Sequence, residues 1–302
     1  MNPREHFEPS FRNQFWWASD SAQAVRGRAN EVVMQKIGMM PPPDLSGVEK
    51  VQMGHVMEPV ALRLAEEKLK TQVASVEGYK VHRRESWLAS HTDGQTTLDG
   101  QEVLIECKNV NENQMRYFGD EWSSDVPPYY LAQCIHEAAC FDVDRVYMSV
   151  IFGGQQHRMY TLDINSDQKS ELIKKMAEYW GCVVAKNPLP PETPDQARLL
   201  FNKENGSEVI ATSHIEQLYA ELVHAKANIS KWEEIEENAK AKIMSHLGNG
   251  AKLVSVDGST LVTWSQSKSS KRFNPELFKQ AYPDLYNSFV VEVPGSRRFL
   301  VK

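Results

Sequence analysis

The sequence predicts an α/β (α+β) fold, a central mixed β-sheet flanked by helices, followed by a long helix and a β-hairpin. Three observations carry this. Five stretches between residues 79 and 163 have strand composition. Two helical stretches, 129–141 and 168–184, interrupt or follow them. A proline-rich segment, KNPLPPETPDQ at 186–196, then separates this body from a long amphipathic pattern at 213–247. Two domains are expected, 1–190 and 191–302.

The elements follow in order. Ser19-Asp20 is good N-cap chemistry, and helical composition runs from there to Gly38. PPPDLSG at 41–47 is a loop, and 55–70 is amphipathic with a charged C-terminal half. Proline disrupts a helix interior, so this helix is expected to start at Pro59, with Glu58 just ahead of its first turn. YKVHR (79–83), WLASH (87–91), VLIECKNV (103–110), RVYMSVIF (145–152) and HRMYTLD (157–163) read as strands, the last two joined at Gly153-Gly154. Pro127-Pro128 suits a helix entry. Beyond the boundary, Ile215, Leu218, Leu222, Ala225, Ile229, Trp232, Ala239 and Ile243 recur at spacings of three, four or seven, which fits a helix able to pair as a coiled coil. A hairpin at 251–266 turns at Asp257-Gly258; a helical 273–286 and a strand-like 296–302 end the chain.

At 302 residues, 41% apolar and 25% charged, the chain has the composition of a soluble globular protein. No window reaches the ~18 apolar residues of a membrane span, and the N-terminus lacks a secretory pattern. Four cysteines without a CxxC pair read as reduced thiols, so a cytoplasmic protein is expected. The net charge of −6 does not advertise nucleic-acid binding, yet the whole deficit lies in residues 1–190, while 266–302 is basic.

Chemistry concentrates in LASHTDGQTTLDGQEVLIECKNV at 88–110. Alternation along a strand puts Glu106 and Lys108 on one face, Ile105 and Cys107 on the other. If 87–93 pair with 103–108 through a turn at Asp99-Gly100, Asp93 comes close to Glu106. Two adjacent carboxylates resist joint ionisation unless a cation lies between them. Hard oxygen donors with open positions suit Mg²⁺, and Lys108 would serve an attacking water or a phosphate oxygen. The plain alternative is a hairpin with solvated charges; Asp99, followed by Gly100, is a turn residue.

Four stretches occur in an order that resembles the YqaJ or phage lambda-type exonuclease family of the PD-(D/E)xK nuclease superfamily. They are Phe11-Arg12 through Ala18-Ser19-Asp20, Gly54 to Ala61, Ser90 to Gly94 with Glu106-Cys107-Lys108, and Pro128 to Gln133. The resemblance spans about residues 11–184 and implies a restriction-endonuclease-like core. It further implies that Asp93, Glu106, the Cys107 backbone carbonyl and Glu58 bind metal. Lys108 then serves the water, Gln133 completes the catalytic group, and Arg12, Ser19 and Ser90 hold a 5′ phosphate. The family often has Ser-Pro directly before its Asp; here His91-Thr92 stand there, with the serine at 90. The implied cofactor is Mg²⁺, with Mn²⁺ able to substitute and two ions per site.

The implied activity is a recombination exonuclease acting on double-stranded DNA ends 5′ to 3′. A single-strand annealing protein would be its partner, and a trimeric ring its assembly, in a bacterial host cytoplasm if phage-encoded. A structure-specific or nicking endonuclease and an inactive DNA-binding protein on the same fold are the alternatives. Plainer readings accompany several residues. Glu58 suits a helix first turn, Gln133 an interior amide and Arg12 a surface cation, while His91, His136 and Trp16-Trp17 suit structural roles. The cysteine spacing does not fit an iron–sulfur site.

Overall fold

The computed structural model describes residues 9–45, 47–292 and 295–302. It divides into two compact units, Met1–Phe201 and Asn202–Lys302.

The first unit begins with α1 (Pro9–Arg12), β1 (Trp16–Trp17) and α2 (Ala18–Gln23). A π-helical turn over Ala24–Arg28 leads into α3 (Ala29–Lys36). Next come α4 (Glu49–Leu69), β2 (Ala74–Ser75), β3 (Lys80–Val81), β4 (Leu88–Ser90), β5 (Gly94–Leu98) and β6 (Gln101–Val110). Then follow α5 (Pro128–Phe141), β7 (Arg145–Phe152), β8 (Gln156–Asp163), α6 (Ser166–Val184) and α7 (Pro194–Leu200). The main sheet has the order β2-β5-β6-β7-β8, with β6 and β7 parallel and the other pairs antiparallel. Strands β1, β4 and β3 form a separate small sheet.

Alternation along β6 divides the core. Leu104 and Val110 face a large cluster with Val146, Met148 and Phe152 against the α5 side, while Val103, Ile105 and Cys107 meet Ala61 and Ala65 of α4. Both helices therefore cover the sheet, and the charged pair of β6 looks toward α5.

Three expectations change. The strand partner of β6 is β5, not residues 87–93, which supply β4 to the small sheet. Helix α4 runs through Pro59, so Glu58 lies in mid-helix. The proline removes one N–H from the ladder, but the helix carries full turns on both sides of it. The unit boundary falls after Phe201, because the proline-rich segment packs instead of linking. Gln196 is buried, and its Oε1 accepts from Asn30 Nδ2 and from the Glu192 N–H, both at 2.9 Å.

The second unit contains α8 (Ser213–Leu247), a hairpin of β9 (Lys252–Val254) and β10 (Thr260–Thr263), α9 (Pro275–Ala281) and α10 (Pro283–Ser288). Residues 296–302 form no strand. Among the described residues no helix is long and apolar enough to cross a membrane.

Candidate active site

The β5–β6 hairpin positions the first carboxylate. Asp99 (φ 51°) and Gly100 (φ 78°) are both left-handed, the conformation a tight two-residue hairpin turn demands and Asp-Gly adopts readily. That turn pairs Gly94 with Ile105 and leaves Asp93 one residue beyond the end of β5, across from Glu106. Gly94 is needed for another reason: a Cβ there would lie 2.7 Å from both Leu62 Cδ2 and Val73 Cγ1. Its missing side chain lets α4 close on the sheet beside the site.

Asp93 Oδ2 accepts the Cys107 N–H at 2.7 Å. In an extended strand the N–H and C=O of one residue point to the same side, so the Cys107 carbonyl also faces this edge. The Cys107 thiol packs toward α4 in the core.

Glu106 is 3% exposed, and its Oε1 accepts from Lys108 Nζ and, at 2.5 Å, from Gln133 Nε2. Gln133 also donates to Glu137 Oε1 at 2.9 Å, one turn further along α5. These two bonds fix the amide with its nitrogen toward the carboxylates. The ring of Tyr130, on the same helix, lies over Lys108 Nζ at 5.5 Å.

The carboxylates disturb one another. Burial, then the charge of Glu106, lifts the Asp93 pKa well above its ordinary value, opposed by Lys108 and the Cys107 N–H. Glu137 is raised well above normal by burial and then by Glu106. Burial raises Glu58, with His55 pulling down and Glu106 pushing up. Burial pulls the Lys108 pKa down, but the charges of Glu106 and Asp93 outweigh it and hold the ammonium charged. A buried acid cluster sharing one lysine is short of positive charge.

The donors fit a hard divalent cation. Among the described residues no three His, Cys, Asp or Glu side chains converge into a complete protein cage. Mg²⁺ does not need one, since it keeps several waters and takes one or two carboxylates. Asp93 and Glu106 could provide those, with the Cys107 carbonyl beside them. Glu58 lines the same cleft without joining the other two in a three-acid group.

The cleft has a volume of about 370 Å³ and is also lined by Arg12, Ser19 and Ser90. An Arg12 guanidinium nitrogen donates to Ser19 Oγ at 3.1 Å, and the group lies 5.1 Å over the Trp17 ring. Lys36 fastens this segment: its buried ammonium donates to the Arg12 and Phe15 carbonyls and pairs with Asp20 at 2.7 Å. Ser90 differs. Its side chain is fully buried and its hydroxyl donates to the His91 carbonyl at 2.8 Å, so it is committed to the backbone.

The histidines and tryptophans hold the frame. His136 Nε2 donates to the Ala89 carbonyl at 3.0 Å, which leaves Nδ1 to accept the Ser21 hydroxyl at 2.8 Å. Ser21 in turn accepts from Trp16 Nε1, so one buried chain of bonds joins β1, α2, α5 and β4. His91 stacks on Trp17 at 4.9 Å, and all four cysteines are free. Glu137 and Lys36 were missed by motif reading, and Tyr130, inside the Pro128–Gln133 stretch, was given no role. The signal for Glu137 was its place four residues after Gln133 on one helix face.

Residues 10–144 match the model of the YqaJ-like viral recombinase domain. Among solved structures, an alkaline exonuclease from Laribacter hongkongensis is 16% identical, with 58% of this chain and 90% of that one covered at a TM-score of 0.46. A phage related exonuclease from Haemophilus somnus 129PT is 10% identical, over 53% of this chain and 82% of that one, at a TM-score of 0.41. No curated protein matches the chain.

Proposed function

We propose, from the premise that residues 10–144 carry a YqaJ-like viral recombinase domain, that this chain is a Mg²⁺-dependent exonuclease of double-stranded DNA ends. One observation carries the reading: Asp93, Glu106 and Lys108 meet at one strand end, Glu106 buried and the other two half-buried, short of positive charge and open to a cleft. Asp93 and Glu106, with the Cys107 carbonyl, would hold the ion, and Mn²⁺ could replace it or a second ion join it. Bound there, the ion neutralises the acid pair and acts as a Lewis acid toward a phosphate oxygen.

The chain's own groups do the rest. Lys108 Nζ, directed by Glu106 and roofed by Tyr130, orients the water that attacks phosphorus. Gln133 keeps Glu106 from rotating by holding the same oxygen. Arg12 and Ser19, at the cleft wall, suit a terminal 5′ phosphate, because a guanidinium matches phosphate with paired N–H groups. Digestion then runs 5′ to 3′ and leaves a 3′ strand for an annealing protein. A ring assembly and a bacterial cytoplasmic setting belong to the same reading.

The test uses end-labelled linear and closed-circular duplex with Mg²⁺. The parent protein is expected to shorten linear DNA from its 5′ ends and to leave circles intact, with Asp93→Asn and Lys108→Ala inactive. Absence of Mg²⁺-dependent cleavage by the parent would overturn the enzymatic reading. Cut circles would replace the exonuclease with an endonuclease.

A further inference from the structure

None of the residues of α8 is buried, and its apolar residues are regularly placed. Ile215, Leu222, Ile229 and Ile243 recur every seven residues, with Glu236 in the one remaining place. A second row starts at Leu218 and passes through Trp232, which is 67% exposed. A repeat of seven averages 3.5 residues per turn, the period that keeps one seam against a partner helix in a left-handed supercoil. A helix lying on a globular core shows a broader stripe at 3.6. At 35 residues α8 is roughly 50 Å long and exceeds the three to four heptads a coiled coil needs.

We propose that α8 is an assembly element that pairs antiparallel with α8 of a second copy of this chain. Charge selects the occupant and its direction. With Ile229 of one copy level with Trp232 of the other, Glu221 falls beside Lys242 of the second copy and Lys226 beside Glu233. Two-fold symmetry makes each pair twice. Sliding by one heptad sets Lys226 against Lys226 or Lys240 of the second copy. A parallel pair keeps only Glu221 with Lys226 and forces Glu236 against its own copy within the seam. In the antiparallel register Glu236 lies opposite Ala225, and Lys240, which pairs with Glu236 at 2.7 Å, stays at the rim. The proposal is independent of the nuclease reading, and a two-fold pairing doubles the mass of whatever ring the first unit forms.

The experiment is sedimentation equilibrium of the full-length chain over a wide concentration range. The parent is expected at twice the limiting mass of Leu222→Asp with Ile229→Asp, with near-ultraviolet circular dichroism of the two matching. Glu221→Lys is expected to weaken the doubling step roughly tenfold. Adding Lys242→Glu restores it, and adding Lys226→Glu does not. Equal masses for the parent and the double Asp variant overturn the pairing. Restoration by Lys226→Glu in place of Lys242→Glu overturns the antiparallel order.

Discussion

In strand β6 two charged side chains are drawn inward: Glu106 is 3% exposed and Lys108 is half-buried beneath Tyr130. In helix α8 the large apolar positions are exposed, with Ile229 at 57% and Trp232 at 67%. Each reverses the usual sorting of side chains by polarity, and each does so in a regular pattern, period two in the strand and period seven in the helix. Burying acids costs free energy unless charge is supplied, and leaving such a seam in water forgoes burial that a partner would give. The two regions teach that misplaced polarity with a regular period marks something the chain lacks by itself. On the readings proposed above, β6 would be completed by a cation and a phosphate, and α8 by another helix.

The sharpest way to break the comparison is to remove the charges of the first region. Asp93→Asn and Lys108→Ala are each expected to reduce cleavage of linear duplex on the order of a thousandfold. The thermal midpoint of Asp93→Asn should fall little or rise, since it removes one of the crowded acids, whereas Lys108→Ala strips the cluster of its cation and should lower it. An unfolded Asp93→Asn protein would mean that the cluster is structural. Next in size is Gln133→Ala, which frees Glu106. It is expected to weaken the apparent Mg²⁺ affinity ten- to a hundredfold, seen as a rightward shift of activity against Mg²⁺ concentration. An unshifted curve would make Gln133 an interior amide only.

How much of this was legible in the sequence depends on the range of the physics involved. Period two in VLIECKNV placed Glu106 and Lys108 on one face, and the structure puts both toward α5. Asp99-Gly100 was read as a turn, and its two positive φ angles agree. The strand facing β6 was misread because GQTTL carries no apolar alternation. Its place comes from the turn and from Gly94 packing under α4, which are tertiary facts. Pro59 misled in the same way, since a helix tolerates one missing hydrogen bond at an exposed position when turns flank it. Two strands of the small sheet, β3 and β4, lie inside stretches read as strands, but β1 at Trp16–Trp17 and Lys36 reaching back to Arg12, Phe15 and Asp20 have no local signature.

Smaller effects test the frame around the charged strand. Gly94→Ala forces a Cβ into contact with Leu62 and Val73, and should cost about 1–3 kcal/mol, read as a lower urea midpoint at unchanged slope. His136 gives a pH signature. Its pKa is lowered to about 4, burial being the largest cause, against 6.5 for the free side chain. The unfolded chain therefore takes up a proton that the folded one refuses. This contribution to stability is complete above pH 6.5 and is lost as pH falls from there toward about 4, by at most ~1.4 kcal/mol per pH unit. His136→Gln, which does not titrate, should flatten that slope relative to the parent. Parallel slopes for the two proteins would show that His136 is protonated in the fold.

The smallest expected effect belongs to the second region and sharpens the contrast most. Ile229→Ala removes a branched apolar side chain from α8, none of whose residues is buried. In dilute solution, below the association range, the unfolding free energy should change by less than ~0.5 kcal/mol, as for other exposed positions. At high protein concentration the same substitution should lower the thermal midpoint measurably, because binding a second copy stabilises the folded chain by mass action. A concentration-independent difference would place Ile229 in an intramolecular contact. The same result for Ile105→Ala is excluded by its full burial against Ala61 and Ala65: there the loss, about 2–5 kcal/mol, should be the same at every concentration. The concentration dependence, and not the size of the loss, separates a side chain whose partner lies within the fold from one whose partner is a second copy.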